Sequence, residues 1–284
     1  MYPVPSYDLR HLGFARFAPP AALAPYIQCY WLIRNRSSPL PPRTEKLYPD
    51  GGTGLIFNFG APYTVDRTPV DSRLVYQGAG DRLQGMGLNG SIDAIGIRFR
   101  PAGAYPLLGG MPARELQHSW LPLDHLLPET APLFERLVGT PTPAQRLRLI
   151  NQWLLRRLTL FERQPTSILP LIDTLAGPHS AVSSLARSSG ISRRRLERLF
   201  SQQAGLAPAR LGLLLKVSRA RETLKADFLT PLTDIGQACG FYDQAHFIRH
   251  FKTIMQVTPG QYRQHKRRQH TLAQTYNSCR AARR

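Results

Sequence analysis

The sequence predicts an α+β chain of two domains: a sheet-rich barrel or sandwich trailed by helices, then an all-α unit. Three observations carry this. Between about residues 10 and 110 the apolar runs are short and punctuated by Gly and Pro. From Thr142 onward apolar residues recur at steps of three and four. Towards the C-terminus one helical pattern is written twice. The length of 284 residues suits about two domains, each large enough to bury a core.

The first domain opens with strands. Tyr26 to Ile33 is an aromatic-rich strand, and Gly54-Leu55-Ile56-Phe57-Asn58-Phe59-Gly60 is a compact one bounded by turn residues. Ala94 to Arg100 alternates, placing Ile95, Ile97 and Phe99 on one face and Arg98 and Arg100 on the other. Short strands at this spacing suggest a sandwich or small barrel. Tyr30, Trp31, Phe57, Phe59 and Tyr76 read as its core. Arg98 and Arg100 read as a solvated strand face, with an anion inside the barrel as the alternative. Among residues 1–164 the histidines are His11, His118 and His125, with no HxH or HxxxH pair, so neither a metal site nor metal-dependent barrel chemistry is expected.

Beyond residue 110 the period becomes helical. Thr142-Pro143-Ala144-Gln145 is a capping box with Pro at the first helical position. Leu147, Ile150, Leu154, Leu158 and Phe161 then form a stripe, with Arg146, Arg148, Gln152, Arg156 and Arg157 off it. That stripe is expected to pack on the barrel, with a share in a dimer interface as a second use. Gln164-Pro165-Thr166 marks a boundary. The expected domains are 1–163 (strands about 10–110, helices about 111–163) and 165–264, with a basic, irregular tail at 265–284.

In the second domain Ser167 to Ala176 reads as a support helix stopped by Gly177 and Pro178. Leu185 through Gly190 and Ser192 leads to Leu196, Leu199, Phe200, Gly205 and Pro208. Ile235 through Gly240 leads to Phe247, Phe251, Gln256 and Pro259. In both copies the proline follows the phenylalanine by eight residues. Each copy is a short helix, a Gly-centred turn and a second helix with one buried stripe, which is the pattern of a helix-turn-helix. Between them Ala209 to Asp227 reads as one helix of about 19 residues, or ~28 Å at 1.5 Å per residue. Major-groove faces on one side of B-DNA repeat every ~34 Å, so such a rod can hold two recognition helices over adjacent grooves.

Charge fits a polyanion partner. Residues 1–164 hold 18 Lys and Arg against 12 Asp and Glu, whereas 165–284 hold 19 against 6, so the shorter part carries +13 of the total +19. The stripes then assign faces. Arg194, Glu197, Arg198 and Ser201 lie opposite the stripe of the first unit, and Gln244, Ala245, Ile248 and Arg249 opposite that of the second. These are the candidate base readers: Arg for guanine, Gln for adenine, Glu for cytosine, and Ala or Ile for a thymine methyl. Arg193, Arg195, Lys252 and Arg263 are the candidate phosphate contacts. His246 and His250 at i, i+4 could ligate zinc, but no third ligand is near in sequence and no metal is expected.

Cys29, Cys239 and Cys279 lack CxxC spacing, so neither disulfides nor zinc are expected. The N-terminus lacks a signal-peptide pattern, and no apolar run approaches ~18 residues. A cytoplasmic protein with no membrane partner is the expectation.

Residues 167–263 resemble the DNA-binding domain of the AraC/XylS family. The signature is Gly240-Phe241-Tyr242-Asp243-Gln244-Ala245-His246-Phe247-Ile248-Arg249-His250-Phe251-Lys252, then Thr258-Pro259-Gly260-Gln261-Tyr262-Arg263. Gln256 stands where Gly is usual and Gly236 where Ala is usual. Residues 12–160 are also similar to an N-terminal domain of some members, through Tyr48-Pro49-Asp50-Gly51-Gly52, Asn58-Phe59-Gly60 and Gly96-Ile97-Arg98-Phe99-Arg100-Pro101-Ala102-Gly103-Ala104. This resemblance implies a cupin-like regulatory domain. It also implies a sequence-specific DNA-binding transcription regulator, not an enzyme, that uses no cofactor. Double-stranded DNA is the expected partner; RNA polymerase joins it if the chain is an activator. A small-molecule effector at the N-terminal domain and a homodimer are the remaining partners admitted. A non-specific architectural nucleic-acid binder is the alternative reading.

Overall fold

The computed structural model describes the backbone of residues 3–4, 13–161, 167–177 and 182–281, and not the side chains of 3–4, 36–41, 161 and 272–281. The boundary expected at Gln164–Thr166, the stop at Pro178, and His11 lie outside the described residues. In order, the elements are strands β1 (Pro3–Val4), β2 (Ala15–Phe17), β3 (Ile27–Leu47), β4 (Gly54–Asn58), β5 (Tyr63–Val65), β6 (Thr68–Val70), β7 (Leu74–Gln77) and β8 (Gln84–Phe99), helix α1 (Ala104–Leu107) and strand β9 (Trp120–Pro122). Helices α2 (Leu123–Leu126), α3 (Thr130–Val138) and α4 (Pro143–Phe161) complete the first domain. The second holds α5 (Leu169–Leu175), α6 (Val182–Ser188), α7 (Arg193–Ala204), α8 (Pro208–Ala226), α9 (Leu232–Ala238), α10 (Gln244–Met255) and α11 (Pro259–Ala281). The chain is α+β, sheet-rich first and helical second.

The sheet runs β1-β2-β3-β8-β4-β7-β9, with the β5–β6 hairpin paired to β8. Its pairs are antiparallel. The alternation of β8 is realised: Ile95, Ile97 and Phe99 join Leu55 and Phe57 beneath α1, α2 and α4. The opposite face is buried too. Ile33, Ile56, Val75, Ile92 and Ala94 pack with Tyr63 and Val65 of the hairpin, so the long β3–β8 ribbon curls over its own sheet. The turn of that hairpin, Asp66-Arg67, has φ of 48° and 70°. Its two-residue loop is the geometry that matches the right-handed strand twist.

The capping box of α4 forms, with Gln145 N donating to Thr142 Oγ1 at 3.3 Å. Leu147, Ile150 and Leu154 are buried against the sheet. Arg146, expected off the stripe, is instead buried. Its guanidinium lies 3.9 Å over the Phe59 ring and 3.8 Å from buried Asp93. A planar cation can cover an aromatic face while neutralising an inward carboxylate. Arg98 departs from the expected solvated face, half-buried in a pair with Asp50, whereas Arg100 stays near solvent in a surface pair with Asp173 of α5.

In the helical domain the core collects Leu196, Leu199 and Phe200 of α7, Leu211, Leu214 and Leu224 of α8, and Phe247 and Phe251 of α10. Gly190 and Gly240 take φ of 64° and 80° in the two inter-helix turns. Ser192 caps α7, accepting from Arg195 N at 3.3 Å, and Asp243 caps α10, accepting from His246 N at 2.6 Å. Residues 265–281, expected to be an irregular tail, continue α11. Thr258 and Gln261 cap one another at its start, at 2.9 Å and 3.2 Å. No Gly or Pro interrupts residues 261–281, and the buried Tyr262 anchors the first turn.

Candidate nucleic-acid interface

Packing decides which face of each recognition helix is free. Leu196 and Phe200 of α7 and Phe247 and Phe251 of α10 are each 0% exposed. The opposite sides therefore face solvent. On α7, Arg193, Arg194, Arg195, Glu197 and Arg198 are exposed and Ser201 is half-buried. On α10, Gln244, Ala245, Arg249 and Lys252 are exposed and Ile248 is half-buried. These faces thus gather the predicted readers and most of the predicted phosphate contacts.

Two details modify the predicted roles. Arg193 Nε donates to Glu197 Oε1 at 3.0 Å, so a phosphate candidate and a base-reading candidate form a surface i, i+4 pair. Such pairs contribute about 0.3–0.5 kcal/mol and are screened by salt, so incoming DNA can displace them. Arg263 is placed differently from the other cations. It is half-buried, and its Nη1 donates to the Thr230 carbonyl at 2.7 Å, tying α11 to the loop before α9.

The His246 and His250 rings stand edge to face at 4.4 Å. His246 Nδ1 accepts the Tyr242 N–H at 3.4 Å, and its ring lies against Phe241. Burial, then the nearby His246, Arg249 and Arg210, push the His250 pKa below the ordinary imidazole value. Among the described residues no three His, Cys, Asp or Glu side chains gather into a metal-sized group. Sequence reasoning overlooked Tyr242, which is 91% exposed in the turn just before α10. An exposed aromatic there flanks the N-terminal end of α10.

The α8 spacer spans 19 residues, or ~28 Å at 1.5 Å per residue. It begins one residue before the predicted helix because Pro208 occupies its first position. It packs against α7 of the first unit and against α9, α10 and α11, so both units share one rod. Between the first domain and α7 a cavity of about 10 Å³ lies among Thr53, Tyr76, Tyr105, Met111 and Gln203, room for about one water. No helix among the described residues is long and apolar enough to cross a membrane.

Two regions of the chain match known families. Residues 15–122 match a domain of unknown function, DUF6597, and residues 185–265 match a helix-turn-helix domain family. The chain is 28% identical over 163 residues to the HTH-type transcriptional regulator ArgR of Pseudomonas aeruginosa. That match covers 56% of this chain and 48% of the relative, so the chain spans about half its length. It is 29% identical over 233 residues to the HTH-type transcriptional activator RhaS of Citrobacter koseri, covering 75% of this chain and 82% of that one. A solved AraC-type transcriptional regulator from Chromobacterium violaceum is 32% identical, with a TM-score of 0.32, over 34% of this chain and 87% of its own. Repeated units, signature and relatives together place the chain in the AraC family of helix-turn-helix regulators.

Proposed function

We propose that this protein is a sequence-specific DNA-binding transcription regulator that lays α7 and α10 in adjacent major grooves of one duplex. The observation carrying this is the pairing of buried stripes with exposed arginine-bearing faces, repeated on two helices joined by one rod. The major groove admits an α-helix, and Arg194, Arg198 and Arg249 suit bidentate contact with guanine. Arg195 and Lys252 suit phosphate oxygens, which position without specifying. The first unit offers more polar readers than the second and carries more of the specificity. The rod is a little shorter than the ~34 Å groove repeat, and DNA bending absorbs the difference at a few kcal/mol. The N-terminal domain regulates this act.

Selection of bound sequences from a random duplex pool tests the reading. The selected duplex should then compete against random duplex with a preference of ~10³-fold or more at fixed salt. A preference near unity would make the protein a general basic binder instead.

A further inference from the structure

Two stretches of the first domain, Tyr48–Gly52 and Gly96–Ala104, meet in space, and they meet against the second domain. Arg98 pairs with Asp50, and its Nη1 also donates to Gln77 Oε1 at 3.2 Å. This pair braces the turn Tyr48–Gly52, whose Gly51 has φ of 76° and faces the Leu211 side chain of α8 so closely that a Cβ would collide with it. Ala79 and Ala102 of the first domain belong to the hydrophobic core of the second.

The contacts converge on the corner between α7 and α8. Ala113 N donates to the Gln202 carbonyl in the last turn of α7 at 2.7 Å, and Gln202 Nε2 donates to Tyr105 Oη at 3.1 Å. Gly205, which turns that corner, sits so near the Ala113 carbonyl that a Cβ would stand 2.9 Å from it. In the first turn of α8, Arg210 Nε donates to Asp81 Oδ2 at 2.9 Å and its Nη2 to the Asp81 carbonyl at 2.8 Å. The second unit is reached as well. Tyr48 lies under the Arg221 guanidinium at 5.6 Å and meets Tyr262 edge-on at 6.2 Å, and Tyr262 in turn meets Phe251 of α10 at 5.9 Å.

The geometry points to Asp81, Tyr105, Ala113 and the Tyr48–Gly51 turn as positioning residues for DNA reading. They grip the corner of the first unit and the start of α11, and so hold both recognition helices as one body. The grip is on the ends and backs of the helices, because Arg194, Arg198 and Arg249 remain exposed while it is made. The first domain therefore orients the readers rather than masking them. Fixing two helices in advance removes an ordering cost that binding would otherwise meet. This inference rests on the DNA-reading proposal above.

The test uses the full chain with Asp81→Arg, Arg210→Asp and the double exchange. Tyr105→Phe is the mild variant, losing only the hydroxyl that Gln202 meets. Affinities for the selected and for random duplex are measured at one salt concentration, with circular dichroism to establish folding. Each single exchange sets like charges face to face, and should cut the preference for the selected duplex ~10-fold, the loss of one charge-assisted contact. The double exchange should restore it. Asp81→Arg is the sharpest arm, because its added positive charge alone would tighten every duplex. Tyr105→Phe should lower the preference by a smaller factor. Unchanged preference in the folded variants, or tighter selective binding when the grip is broken, overturns the inference. A wild-type chain with no preference would instead overturn the DNA-reading proposal itself.

Discussion

Gln256 offers a test in which the sign of an effect, rather than its size, decides. It ends α10 at φ of 60°, in the left-handed region, where its counterpart at the end of α7 is Gly205 at φ of 75°. A side chain with a Cβ costs about 1–2 kcal/mol in that conformation. Gln256→Gly removes this cost. It gives back about 0.5–1 kcal/mol through the larger freedom of glycine in the unfolded chain, and it loses an exposed hydrogen bond from Nε2 to the Thr253 carbonyl at 2.9 Å. Gln256→Ala keeps the backbone strain and loses the same bond. Glycine should therefore exceed alanine in stability by about 1 kcal/mol at this position. In a right-handed helical conformation the order would invert, with alanine ahead by about 1 kcal/mol. Urea denaturation of both variants, followed by circular dichroism, separates the two cases by about 2 kcal/mol. Alanine equal to or above glycine would refute the helix end described here, and with it the parallel between the two units.

Further expectations follow from the same faces and burial. Arg198→Ala should relax base preference at one position and cost ~1–3 kcal/mol of binding, read by competition among single-base variants of the selected duplex. Lys252→Ala should weaken binding to every sequence and reduce the slope of log affinity against log salt by about one. Phe247→Ala, at a fully buried position, should cost about 3–5 kcal/mol of folding stability by denaturant titration. His250 has its folded pKa held below the ordinary value of 6.5. As pH falls through that value the unfolded chain takes up a proton the folded one resists, so stability declines towards acid. His250→Gln should make the stability profile shallower between about pH 7 and pH 5; an equally steep profile counts against the burial described.

The repeat was the most legible part of the molecule. Helical stripes such as Leu196–Phe200 and Phe247–Phe251 report burial directly, and Thr142, Ser192 and Gly190 carry local signals that depend only on neighbours in sequence. What escaped the sequence depends on distant partners. Arg146 looks like a solvent residue until Phe59 and Asp93 arrive from the sheet, and Arg98 until Asp50 does. The grip on the α7–α8 corner joins Tyr105 to Gln202 and Asp81 to Arg210, pairs 97 and 129 residues apart, with no periodicity to announce them. The β5–β6 hairpin was hidden because its left-handed turn uses Asp66-Arg67 instead of a glycine. The α11 helix was hidden because residues 263–271 hold no apolar residue to mark a period.

The central claim is that α8 fixes two reading helices one groove apart, and a spacing experiment on the selected duplex reaches it most directly. Inserting ~5 bp between the segments read by α7 and α10 turns the second onto the opposite side of the duplex. The account predicts that affinity falls at least ~10-fold and that the footprint shrinks to the segment under one unit. A duplex carrying the insertion that binds as tightly as its parent, with both segments still protected, would contradict it.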